Sequence, residues 1–453
     1  MPPVGPSSRV GSGATLAAST GFASVLSRAG GAHAPADQAT VRRSNLALVL
    51  QTVRTTGQWS RAKIASETGL NKATVSSLVG ELIQRRLVSE GEIERGGMGR
   101  PGQIVGLDRS VAFFIGLEIN VDYVAGVVTD LAGVPVARQR LSLDVRELGP
   151  ARTLAKAAEL AMSLLGRAGS GESAAQAVSL NVAIPGMIDA DHGILAYAPN
   201  LEWRDVDITH TLRGLLGMPR TRITVDNDAN MAAVAEFTSG SMAGVRDIVV
   251  LTGEVGIGGG VVAGGELLRG AHGFFGEVGH MAVASEDVLC GCGRRRCWEA
   301  LVGLAAILRT IAEPGDPLHD PSLDLVTRLQ EIEHRADAGD RRTLEGLTMV
   351  AKGLGQGASI LVNIFNPEVI VFGGYFAALA RFFDKPLQEE LYSRIIAPGG
   401  GGCRVEYSTL GFEAAALGGA HAGIHDVMTD PSLVDASGVV LAPDANVLTY
   451  AGG

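Results

Sequence analysis

Cysteine is scarce in this chain: four residues in 453, three of them between positions 290 and 297. That excludes a disulfide framework and points to a reducing compartment and a metal site. Long apolar runs are missing too: no stretch of about 18 apolar residues is free of charged or turn residues, so no membrane-spanning helix is expected. The first residues lack a basic segment followed by an apolar core, so no secretory leader is expected either. Tandem repeats are absent, which argues against a solenoid. Positive charge is in deficit, with a net charge of -10. The deficit is uneven. Between Ala39 and Ser110 eleven Lys and Arg face six Asp and Glu, a balance of +5, and the remainder carries -15. A basic head on an acidic body suits a polyanionic partner for the head alone.

What is present allows two or three folded units, because 46% of the residues are apolar and the chain exceeds one ordinary domain. Glycine is abundant, at 61 residues, so tight turns are expected. Residues 1–40 are rich in Gly, Ala, Ser and Pro and read as a disordered segment. Residues 429–453 read as a C-terminal tail.

From Arg43 the pattern becomes helical. Ser44 is placed to cap a helix carrying Leu46, Val49, Leu50 and Val53, and Gly57 to end it. Ser60 and Gly69 bracket a second, short helix with Ile64 and Ala65. Asn71 caps a third, whose stripe is Val75, Leu78, Val79, Leu82 and Ile83. A polar strand to Glu94, a Gly-rich hairpin at residues 95–102 and a returning strand at Gln103–Leu107 complete a winged helix-turn-helix over residues 41–108. Lys72, Ala73, Thr74, Ser76 and Ser77 lie at the start of the third helix. Short side chains there let a helix enter the major groove, and Lys72 with the helix N-terminus favours phosphate. Arg95 and Arg100 flank the wing and are placed to reach a minor groove. The expected partner of the head is double-stranded operator DNA.

Beyond Asp108 apolar strands alternate with helices, which argues for an α/β architecture. The first strands are Ala112–Ile119 and Tyr123–Asp130, joined by a hairpin at Asn120–Asp122. The densest chemical signal is His280, Cys290, Cys292 and Cys297. Three thiolates and one imidazole within 18 positions suit tetrahedral Zn2+ with no coordination position left open, hence a structural ion. Cys403 is distant and reads as a buried thiol. Glu277 and Glu299 flank the metal loop. With Asn227, Asp228 and His280 they form a set of carboxylates, an amide and an imidazole suited to sugar hydroxyls. Two Gly-rich stretches, Thr252–Gly260 and Phe372–Gly374, are weak phosphate-loop signals.

These motifs, together with Pro185-Gly186, Pro199–Trp203 and Asn366–Gly374, resemble the ROK family of repressors, open reading frames and kinases. The resemblance implies a two-lobed, actin-like (ribonuclease-H-like) sugar-kinase fold. Lobe 1 would span 109–225 and be completed by a C-terminal helix at 411–428; lobe 2 would span 226–410. It implies that Asp228 matches the general base of family kinases and that Asn227, Glu277, His280 and Glu299 bind sugar. It also exposes departures. Family kinases hold ATP phosphates with an Asp-x-Gly-Gly-Thr turn, whereas the aligned run here is Glu118-Ile-Asn-Val-Asp122. Phosphate would meet side chains and Asp122, and Glu254 adds a further negative charge. Since phosphoryl transfer rests on positioning and charge neutralisation, loss of that cradle should remove most of the rate. Arg296 replaces a glycine before the last metal cysteine, which puts the local turn in question.

The expectation is therefore a cytoplasmic, nucleoid-associated bacterial transcriptional regulator, with repressor the commoner logic. Its effector would be a monosaccharide or sugar phosphate bound without efficient phosphoryl transfer, with Asp228 a vestigial base. It would act as a homodimer or homotetramer, without a membrane. The alternative is an active, glucokinase-like, ATP-dependent sugar kinase with an appended DNA-binding domain.

Overall fold

The computed structural model describes residues 37–55, 59–93, 103–169, 176–239, 242, 244–254, 256–271, 273–285, 287–320 and 323–434. The chain divides into two compact units, 1–42 and 43–453. Of the first, the described part opens helix α1 (Gln38–Arg54), where the Asp37 carboxylate accepts the Thr40 amide at 2.7 Å. Ser44, expected as the cap, instead lies inside α1, because Asp37 supplies a capping oxygen seven residues earlier. Gly57, expected to end this helix, lies outside the described residues, as do the wing arginines Arg95 and Arg100 and most of residues 1–40 and 429–453.

The head continues with β1 (Trp59–Ser60), α2 (Arg61–Thr68), α3 (Lys72–Gln84), β2 (Val88–Ile93) and β3 (Gln103–Leu107). Ser60 stands at the N-cap of α2, but its hydroxyl makes no capping bond. Gly69 ends α2 at φ 72°, a left-handed value that favours glycine. Asn71 caps α3 by accepting the Thr74 amide at 2.8 Å. α1 turns Leu46, Val49, Leu50 and Val53 inward, and α3 turns Val75, Leu78, Val79 and Leu82 inward, so their stripes share one core. Ile83 is only half-buried. The three strands form a small antiparallel sheet in the order β1-β3-β2.

Two five-stranded sheets follow. The first has the order β11-β7-β4-β5-β6. It consists of β4 (Ala112–Ile119), β5 (Tyr123–Asp130), β6 (Pro135–Ser142), β7 (Gln176–Ile184) and β11 (Arg222–Asn227). β4, β5 and β6 are an antiparallel meander, and β7 and β11 continue parallel to β4. Every residue of β4 is buried, as expected for a central strand covered on both faces. One cover is α4 (Val145–Ala168), whose Leu154, Ala157 and Leu164 join Ile115, Leu117 and Val124 in the core. Between β7 and β11 lie a small sheet of β8 (Met187–Asp189), β9 (Ile194–Ala198) and β10 (Trp203–Asp207), and helix α5 (Ile208–Leu216). Helix α6 (Asp228–Thr238) leaves β11 directly.

The second sheet repeats the order as β14-β13-β12-β15-β16. Its strands are β12 (Ile248–Gly253), β13 (Ile257–Ala263), β14 (Glu266–Leu267), β15 (Val369–Gly374) and β16 (Arg404–Tyr407). A chain without sequence repeats thus builds one topology twice. The helices of this half are α7 (Trp298–Val302), α8 (Leu304–Ile311), α9 (Leu325–Asp337), α10 (Arg341–Phe365), α11 (Tyr375–Ala378) and α12 (Ala380–Arg394). Trp298, Phe372, Tyr375, Phe376 and Phe383 anchor its core, and Cys403 is buried there as expected.

Helix α13 (Ala414–Thr429) returns to the first sheet. It comes so close that a Cβ at Gly116 of β4 would sit 1.7 Å from the Ala416 carbonyl oxygen, and one at Gly418 would sit 1.7 Å from that of Met231 in α6. The same helix gives Ala420, Ile424, Val427 and Met428 to the core of the head. Gln51 of α1 donates to the Met428 carbonyl at 3.0 Å, and Arg85 donates to that of Val434. One helix therefore touches α6, the first sheet and the head. Among the described residues no helix is long and apolar enough to cross a membrane.

Candidate functional site

A cavity of about 480 Å³ opens beside the end of β11, lined by Asn227, Asp228, Glu277, His280 and Glu299 among others. The sequence places these residues in three separate segments; the fold brings all five together. Asn227 ends β11 and caps α6, its Oδ1 accepting the Ala229 and Asn230 amides at 2.9 and 3.3 Å. Its Nδ2 donates to the Gly186 carbonyl at 3.2 Å, so this side chain is held in place from both ends.

Asp228 follows at the first position of α6. Burial, followed by the charge of Glu277, pushes its carboxyl up to about 6. Glu277 is raised as well, by burial and then by Glu299, while His280 opposes the shift. Glu299 is fixed by the Ile257 amide, which donates to Oε2 at 3.1 Å. Gly256 makes that approach possible, since a Cβ there would lie 2.3 Å from the same oxygen. The result is a polar pocket with several fixed acceptors and a carboxylate near neutrality.

Behind this wall, His280, Cys290, Cys292 and Cys297 place one ligand atom each within 4.8 Å of one another. Cys290 Sγ is 3.9 Å from His280 Nδ1, and Cys292 Sγ is 3.7 Å from Cys297 Sγ. Ligands about 2.3 Å from a shared tetrahedral centre stand roughly 3.7 Å apart, so the cluster fits a metal ion. His280 faces two ways: Nδ1 meets the thiols, and Nε2 lies 3.7 Å from Glu277 Oε2 on the cavity side. The turn before Cys297 keeps a glycine-like shape, because Arg296 adopts φ 66°. Backbone bonds to Val288 and from Ala284 hold it there, and its guanidinium reaches Asp287 at 3.4 Å.

The expected phosphate seat is occupied by side chains, though differently from the sequence reading. Asn120 and Val121 line the cavity; Asp122 does not, and its carbonyl instead accepts the Leu143 amide at 3.0 Å. Asn120 Nδ2 donates to Glu254 Oε2 across the cleft, joining the β4–β5 turn to the end of β12. Burial and the neighbouring charges of Glu118 and Asp228 push the Glu254 carboxyl well above its ordinary value. Asn120 and Glu254 thus form a hydrogen-bonded pair at one wall of the open cavity. On the far side of Glu254 and Asp228, the space bordered by Gly373, Gly374, Ser408 and Gly411 is only about 10 Å³.

Sequence reasoning missed Tyr197 and Asn200, which also line the cavity. Asn200 had a signal in the Pro199–Trp203 run; Tyr197, on β9, had none. On the head, Lys72, Ala73, Ser76 and Ser77 are exposed on one side of α3 and Thr74 is half-buried, as the helical stripe predicts.

Two similarly ordered sheets with a polar cavity beside a thiolate–imidazole cluster define a sugar-kinase-like, actin-related architecture. Residues 114–423 match the ROK family model, and the chain belongs to the ROK family. It is 30% identical over 384 residues to the xylose repressor of Bacillus subtilis (strain 168), a match covering 84% of this chain and 95% of that one. It is 32% identical over 259 residues to a glucokinase of Halalkalibacterium halodurans, covering 55% of this chain and 77% of the kinase. Its fold matches the crystal structure of a ROK family transcriptional regulator, a homologue of the E. coli MLC protein, with a TM-score of 0.71 and 21% identity over 86% of this chain and 97% of that one.

Proposed function

We propose that this chain is a sugar-responsive transcriptional repressor that binds operator DNA through residues 41–108 and a monosaccharide in the cavity at Asp228. The observation that carries the reading is the contrast between a cavity of about 480 Å³ at the sugar residues and one of about 10 Å³ beyond Glu254, where the Gly373-Gly374 loop stands. The chain keeps room for a sugar, while the neighbouring space, bordered by Glu254, Gly373, Gly374 and Ser408, is nearly filled. The whole-length similarity to a xylose repressor supports the same reading, and makes a pentose the first ligand to try.

In this reading Asn200, Asp228, Glu277, His280 and Glu299 bind sugar hydroxyls, and Asn227 orients the start of α6. His280, Cys290, Cys292 and Cys297 hold a structural Zn2+, which keeps its thiol ligands deprotonated. Because His280 serves both the ion and the cavity, the metal loop positions Glu277 and Glu299. The head meets DNA through Lys72, Ala73, Thr74, Ser76 and Ser77, with Arg95 and Arg100 on the wing. Sugar binding changes the seating of α6 against α13, and α13 passes the change to the head, in a homodimer or homotetramer. Such coupling requires that sugar bind the two states unequally.

The test is selection of a duplex from a random pool by the full-length protein, followed by anisotropy titrations with D-xylose and other monosaccharides at several salt concentrations. The expected result is a selected sequence, strongly salt-dependent binding, and release by at least one sugar. Failure to select any duplex would overturn the DNA half of the reading, and indifference to every sugar would overturn the other.

A further inference from the structure

Four polar side chains, none of them a ligand of the metal cluster, meet at the junction of the two sheets. Tyr123 of β5 points its hydroxyl between Glu118 Oε1 of β4 and Glu254 Oε2 at the end of β12, 2.9 Å from the latter. Asn120 Nδ2 donates to the same Glu254 oxygen and lies 3.3 Å from the Tyr123 oxygen. Glu118 is fully buried, and its Oε2 has no hydrogen-bond partner among the described residues.

Counting protons decides the state of this group. A tyrosine hydroxyl has one hydrogen and can donate to one carboxylate only. Its contact with the second carboxylate is attractive only if that group carries a proton and donates to the phenol oxygen. Two bare carboxylates around one hydroxyl would also bury two like charges, which low polarity strongly disfavours. The one nearby cation compensates only in part: the charge of Arg140 lowers both carboxyls, but by less than burial raises them. From β6, Arg140 lies over the Tyr123 ring at 3.7 Å, as a cation on the aromatic face and not as an ion-pair partner of either carboxylate. From α6, Asp228 adds negative charge toward both carboxyls, and Glu277 stands behind Asp228.

We propose that Glu118, Tyr123 and Glu254 form a proton-loaded clasp that holds the first sheet to the second across the cleft, and that the lobes separate when the proton leaves. The atoms balance simply: the clasp gives one proton to water, and two carboxylates then face one hydroxyl and repel. This property does not depend on the regulator reading, since it concerns only how the lobes are held. The direction of the carboxyl shifts agrees with it: burial first, and then the charge of Asp228, holds Glu118 at about 7, and burial, followed by the charges of Glu118 and Asp228, holds Glu254 well above its ordinary value. Both groups bind protons more tightly in the folded chain than in the unfolded one. The stability difference between clasped wild type and an unclasped form therefore falls as pH rises from about 4.5 through about 7.

Glu254→Gln is nearly isosteric and permanently neutral; its amide nitrogen donates to the Tyr123 oxygen, with the Asn120 amide turned so that its oxygen, not its nitrogen, faces the new group. The experiment measures the radius of gyration by small-angle X-ray scattering, and the melting temperature, of full-length wild type, Glu254→Gln and Tyr123→Phe between pH 6 and 9. Infrared spectra at pH 7 are recorded in parallel for the carboxylic-acid C=O band. The expected result is that wild type expands and loses melting temperature as pH rises, Glu254→Gln stays compact with a flatter profile, and Tyr123→Phe is expanded at every pH. The carboxylic-acid band of wild type should weaken in Glu254→Gln. Wild type that lacks this band, or whose dimensions and melting profile track those of Glu254→Gln throughout, would overturn the proposal.

Discussion

The two cavities on either side of Glu254 and Asp228 share a wall, but the first has room of about 480 Å³ and the second only about 10 Å³. The small one is hemmed in by Ala232 and Glu236 of α6, Val250 of β12, Gly373-Gly374 and the start of α13. The β4–β5 turn brings Asn120 to the cleft, and the matching β12–β13 turn brings Glu254; the two side chains hydrogen-bond where the sheets meet. On the other side, the β12–β13 turn becomes bare backbone at Gly256 and lets Glu299 approach.

The comparison can be broken most severely at the metal cluster. Cys297→Ser should lower metal affinity by at least about 100-fold and abolish sugar binding, because Glu277 and Glu299 lose their support; metal analysis and calorimetry read both. Trimming the core of the junction helix comes next: Ile424→Ala should cost about 2–5 kcal/mol of stability in denaturant unfolding, since its side chain is buried between the head and the first sheet. Glu277→Ala should weaken sugar binding by about 1.5–3 kcal/mol, the worth of a hydrogen bond to a charged group, while duplex binding without sugar persists.

Acid should act on the open cavity through Asp228. Its carboxylate accepts hydrogen bonds above about 6 and is protonated below, so sugar affinity should fall as pH drops through about 6. Asp228→Asn should bind weakly and lose this dependence. The smallest effect concerns the head: Lys72→Ala should weaken all duplexes alike and lower the salt slope by about one unit.

Much of the open cavity was legible in the sequence, for a local reason. His280 to Cys297 span one loop, and Asn227-Asp228 sit at a strand-to-helix junction, so spacing alone groups their chemistry. Beside it, the resemblance already set Glu254 at the expected phosphate seat, but its bond to Asn120 was not legible. Asn120 and Glu254 are 134 positions apart, and nothing in either segment announces that the other faces it. Tyr197 was hidden for the same reason. In the head, the stripes of α1 and α3 were readable from period, whereas the helix start moved from Ser44 to Asp37 because a second capping residue lay upstream. The repeated sheet order was invisible because topology can recur without any recurrence of residues.

In the proposed reading the chain keeps a sugar site and lacks efficient phosphoryl transfer. The most direct test is a coupled assay of the full-length, zinc-loaded protein with ATP, Mg2+ and a panel of pentoses and hexoses, including a sugar that binds by calorimetry. The account predicts sugar binding with no phosphorylated product above background. Robust turnover of ATP with any of these sugars would contradict it.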